Sequence, residues 1–174
     1  MLSEQGKTEL SSKMKKVTIV WVAMMGSVGL FVVATLALLS DTTKLPNIDT
    51  AVVNVLMGGF VVVSAVNIML VTVIDKKIKS NEIIAAFLKR RGETLASIRS
   101  GNDGAVRVLY PFYFQTCLVK WALCETVGVC GLVMALVTGS VFVPVTFYVV
   151  SVALLARLRP STGEFMDIVK MAMR

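Results

Sequence analysis

The chain has no histidine in its 174 residues, only three cysteines and four prolines, and few aromatics. Lacking histidine, it lacks the usual ligand for zinc and haem and the usual general base at neutral pH. Cys117, Cys124 and Cys130 are odd in number, fall in one apolar stretch and have no C-x-x-C spacing. They form neither a disulfide framework nor a zinc knuckle, and read as small polarizable packing residues. No G-x-S-x-G elbow, P-loop or acidic metal cluster occurs. The expectation is therefore a non-enzymatic protein with no cofactor and no metal. Charge is scarce as well, at 17% of residues against 56% hydrophobic.

Four long apolar runs fill the chain instead, at about 17–40, 51–74, 110–139 and 141–158. Each approaches or exceeds the roughly 20 residues that a helix needs to cross a bilayer core. The apolar residues come in blocks rather than in a one-sided stripe, which points to lipid around the helices. The expected fold is an all-α membrane protein with four transmembrane helices arranged as two antiparallel hairpins. Residues 1–16 form an N-terminal arm, 17–158 the transmembrane domain with a loop at 75–109, and 159–174 an amphipathic tail. The first run is about twice the length of a signal-peptide core, so it reads as a retained helix.

The net charge of +7 is explained by position rather than by nucleic acid, which is not expected as a partner. Of the 18 lysines and arginines, all but Lys44 and Lys120 lie on one side of the runs: before the first, between the second and third, or at and after the end of the fourth. The positive-inside rule then puts both termini and the 75–109 loop in the cytoplasm, with a bacterial inner (plasma) membrane as the expected location. The same rule leaves Lys44 on the outer side, and Lys120 is expected to snorkel to the inner interface.

Pro46-Asn47 marks a turn, with Asp49 or Thr50 as cap of the second helix. In the central loop, Ile83, Ile84, Phe87 and Leu88 share a helix face that ends at Lys89, Arg90 and Arg91. This basic amphipathic piece is expected to lie on the inner leaflet, with those three residues on lipid headgroups. Gly101 to Gly104 reads as a turn, and Pro111 as the start of the third helix. Gly139-Ser140 makes a tight outer turn. In the tail, Ser161 and Glu164 have capping-box spacing. Phe165, Ile168, Val169 and Ala172 form one apolar stripe, read as a second interfacial helix.

The third run holds the residues of most interest. Cys124, Gly128, Gly131, Ala135 and Gly139 step along one side at spacings of three and four. Rows of small residues let helix backbones approach closely in lipid. Glu125 lies beside that row, and an ionisable group inside an apolar run is a functional candidate by default. Asn67 and Ser151 are expected at a similar depth, so Glu125, Asn67 and Ser151 form a candidate ion- or proton-binding set. In that set a buried carboxyl would be kept neutral by desolvation, serving either as hydrogen-bond glue between helices or as a proton-binding group.

Residues Ala122 to Leu136, reading A-L-C-E-T-V-G-V-C-G-L-V-M-A-L, resemble the carboxylate-bearing helix of rotary ATPase c subunits (proteolipids). That helix reads approximately A-L-x-E-x-x-A-I-Y-G-L-V-V-A-L. The resemblance implies that Glu125 binds and releases a coupling ion. It covers residues 122–136 only, and no glycine repeat like that of the family's first helix is present here.

The leading expectation is a small membrane protein that acts as a subunit or assembly partner through helix packing. Its partners would be the lipid bilayer and other membrane chains or further copies of itself. The alternative is an oligomeric c-subunit-like ion-binding protein that uses Glu125.

Overall fold

The computed structural model describes residues 3–40, 48–78, 80–90, 92 and 102–173. Among them are six helices and no strand: α1 (Glu4–Leu39), α2 (Thr50–Lys77), α3 (Asn81–Arg90), α4 (Asn102–Thr138), α5 (Phe142–Arg157) and α6 (Thr162–Met173). Three of them, α1, α2 and α4, are long and apolar enough to cross a membrane, and a fourth span results if α5 is counted with α6. At 16 residues, α5 alone is about 24 Å long, short of a bilayer core of ~30 Å.

Several boundaries differ from the sequence expectation. The polar arm is not separate, because helix α1 begins at Glu4. Lys7–Glu4 and Lys13–Glu9 pairs at i,i+3 and i,i+4 support this polar first part. Helix α4 begins at Asn102, so Asn102, Asp103 and Gly104 form its first turn rather than a loop. Pro111 lies inside the helix, not at its start. A proline there leaves the carbonyl of Arg107 without its helical N–H partner. At α2 the Asp49 Oδ1 accepts the Ala51 N–H at 2.9 Å, which is the cap action expected of it. Gly139, at φ 61°, ends α4 in the left-handed conformation that glycine adopts freely. The Pro46-Asn47 turn, Lys44 and Arg91 lie outside the described residues.

The chain divides into two compact units, and α1, α2 and α4 contribute residues to both. The first comprises residues 1–20, 72–120 and 159–174. Its core holds Leu10, Met14 and Val17 of α1, Ile84 and Leu88 of α3, Leu109, Phe112 and Tyr113 of α4, and the α6 stripe Phe165, Ile168, Val169 and Ala172. The tail stripe is thus taken up by protein, with Tyr113 and Phe165 rings 5.3 Å apart and α6 touching α3. A stripe of this kind lowers its free energy by burial against any apolar surface, and here α3 and α4 supply one. The beginning of α1 is joined to α4 by Arg107 with Glu9 at 3.3 Å, by Ser3 with Asp103, and by Lys13 over the Tyr110 ring.

The second unit comprises residues 21–71 and 121–158. Val127, Cys130, Met134 and Phe147 form its core, with Val53, Leu56 and Phe60 of α2 packed against them. Helix α1 meets α5 through Thr35 and the Tyr148 hydroxyl. The indoles of Trp21 and Trp121 donate to the carbonyls of Leu155 (2.9 Å) and Leu158 (3.1 Å). These acceptors sit at the end of α5, where carbonyls have few helical donors left.

Candidate functional site

The small-residue row lies where α4 meets α5. A side chain at Gly131 would stand 2.9 Å from Phe147 Cβ and 3.1 Å from the Pro144 carbonyl. One at Gly128 would be 3.3 Å from both the Phe31 ring and Ser151 Oγ. Cys124 and Ala135 are buried, and Ser151 donates to the Cys124 carbonyl at 2.8 Å. Three residues of the row, Cys124, Gly128 and Gly131, therefore lie close against α5, and Ala135 is buried. The fifth, Gly139, is exposed and serves the turn.

Among the described residues no hydrogen bond joins Glu125, Asn67 and Ser151 to one another. At ~100° per residue, Glu125 projects about 140–180° away from Val127, Cys130 and Met134. Those three residues are the ones against which α2, the helix of Asn67, is packed. Asn67 is buried and its Nδ2 has no hydrogen-bond partner among the described residues; Ser64 Oγ, one turn away, is in the same state. The Ser151 hydroxyl is committed to the Cys124 carbonyl. Glu125 is half-buried, at the edge of the exposed stripe Ala122–Thr126–Val129, with no hydrogen bond or ion pair to any described residue.

A different ionisable group is the enclosed one. Lys120 is 3% exposed and does not snorkel. Its Nζ lies 2.7 Å from Asp75 Oδ1 on α2 and 3.5 Å from Glu164 Oε1 on α6. Tyr113 and Cys117 share its face of α4 at spacings of seven and three. The Tyr113 hydroxyl accepts the Ser161 N–H at 3.3 Å and stands 3.4 Å from Glu164 Oε2. Glu164 is also tied to its own helix start, since its N–H donates to Ser161 Oγ at 3.1 Å. The capping-box spacing thus yields half of that motif: the serine caps, while the glutamate side chain turns to Lys120 and Tyr113. Around one ammonium the cluster joins α2, α4 and α6, all within the first unit.

In chemical terms this is an ion triad with a hydroxyl and a thiol beside it. The ammonium is sheltered, while Asp75 and Glu164 keep 38% and 26% of their side-chain surface. The sequence did carry a signal for it. Lys120 is the one lysine inside an apolar run, Asp75 ends the preceding run, and such a charge is expected to have a partner. Snorkelling was the competing outcome, and a nearby carboxylate won.

Arg90 and Lys89 are exposed at the end of α3. Among the described residues no three His, Cys, Asp or Glu side chains cluster as a metal site. No protein-family model matches this chain, and no curated protein or solved structure matches it either.

Proposed function

We propose that the chain is an integral membrane protein without enzymatic chemistry, serving as a subunit or assembly partner through helix packing, with both termini in the cytoplasm. One observation carries the reading. The most apolar windows of α1 and α2, each with mean hydropathy 2.3, are only 11% and 17% buried within the chain. Val52, Val55, Val61, Val62, Val66 and Met69 of α2 all face outward. Water would penalise so much contiguous apolar surface, whereas lipid or a neighbouring helix accepts it. Alkaline carbonate extraction of native membranes, followed by native mass measurement in mild detergent, tests both halves. Retention in the pellet and a complex heavier than the 18.8 kDa chain are expected. Release into the supernatant defeats the membrane reading, and a bare monomer defeats the subunit reading.

A second reading uses Glu125 as an ion-binding carboxylate, and its favouring observation is a carboxyl without a partner among the described residues, at the edge of the exposed stripe Ala122–Thr126–Val129. A hydrophobic carbodiimide should then modify Glu125 from the lipid phase, faster at low pH. Glu125→Gln should fold normally and abolish the labelling. Equal labelling of the Glu125→Gln variant rejects it.

A further inference from the structure

Helix α3 buries Ile84 and Leu88. Ile83, Ala86, Phe87 and Arg90, at spacings of three, four and seven, share another side of it. The expected single apolar face is therefore split in two: one part goes into the core, and the other remains open. The open side lines a groove of about 440 Å³ together with Ile74 of α2 and Phe112, Gln115 and Val119 of α4. That volume falls within the roughly 300–1,000 Å³ of ligand clefts. The Phe87 and Phe112 rings, 5.0 Å apart, make an apolar wall. Among the described residues, Arg90 is the one cation that lines the groove, and no carboxylate lines it. Arg90 makes no ion pair with any described residue.

A planar guanidinium whose donors no described residue takes, beside an aromatic wall, suits a ligand with an anionic oxygen group and a flexible hydrocarbon chain. Exposed Lys89 next to Arg90 adds positive potential, which favours a lipid of net negative charge over a zwitterionic one. We propose that this groove binds one anionic phospholipid, its phosphate on Arg90 and an acyl chain along Phe87, Phe112 and Val119. This rests on the membrane reading above. The lipid would tie α3 to α2 and α4 by contacts that the protein does not supply alone.

The test uses the full chain purified in mild detergent and titrated with phosphatidylglycerol, phosphatidylcholine or inorganic phosphate under native mass spectrometry. One phosphatidylglycerol should be retained in preference to phosphatidylcholine. Arg90→Gln should weaken phosphatidylglycerol binding about five-fold, as expected for one interfacial cation, and leave phosphatidylcholine unchanged. Ala86→Trp, which fills an exposed position on the groove wall, should weaken both lipids with helicity preserved. Arg157→Gln, a basic residue elsewhere, should change neither. Equal retention of the two lipids, an unaltered Arg90→Gln variant, or full competition by inorganic phosphate would each overturn the proposal. Failure of the premise is visible separately, as release of the chain from native membranes by carbonate.

Discussion

Lys120 shows how the cost of a buried charge depends on who is left behind. Removing Asp75 strands a sheltered ammonium, with Glu164 at 3.5 Å as its remaining counter-charge. Removing Lys120 strands two carboxylates that already reach solvent. Asp75→Asn should therefore destabilise the first unit more than Lys120→Met does. The expected difference is about 2 kcal/mol, below the 3–5 kcal/mol of a fully buried broken pair. Thermal unfolding in detergent of the two variants checks the order, and the reverse order means that the carboxylates carry the burial cost. At this scale the sequence was partly legible. A charge inside an apolar run announces that something will meet it, but Glu125 and Lys120 announce it equally. Which of them finds a partner is decided by α2 and α6, elements far away in sequence. Asn67 illustrates the same gap: depth along a helix can be counted from residue numbers, whereas its side of α2 depends on packing.

Among the helices, the α4–α5 contact is the one most plainly written in the residues. Spacings of three and four between small side chains specify a row, and the glycines leave no room for more. Gly131→Ala must displace Phe147 Cβ or the Pro144 carbonyl, neither of which is the free end of a flexible chain. Gly128→Ala meets the Phe31 ring and Ser151 Oγ at a slightly greater distance. Gly131→Ala should cost about 1–3 kcal/mol by overpacking, and Gly128→Ala less, as read from detergent melting temperatures. Equal and negligible effects would mean that the helices slide apart freely. The short amphipathic helices were harder to read. Periodicity gives α3 and α6 an apolar side, and both lipid and protein reward burying it. The α6 stripe is buried in protein, and α3 buries Ile84 and Leu88 while leaving Ile83 and Phe87 on its open side. The start of α4 departs from the expectation that proline occupies a first turn, since nine helical residues precede Pro111.

For the molecule as a whole, the helical class follows from composition and run length, which need no knowledge of contacts. Sidedness is a separate matter that rests on charge. Cysteines introduced next to Asn102 and next to Lys44 should differ in reach. In intact cells an impermeant maleimide should label the Lys44 site and spare the Asn102 site. Labelling at the Asn102 site alone would invert the topology. The division into two units was not legible in the runs, because α1, α2 and α4 pass from one to the other without any break in sequence pattern.

The two indoles at the end of α5 have an optical consequence. They are the only tryptophans in the chain, and both donate to carbonyls within four residues of one another, Leu155 and Leu158. Ultraviolet emission excited through tryptophan is therefore a local signal from that one helix end. It reports on Leu155 to Leu158 without any dye or added label, and fraying there would change the environment of both emitters together.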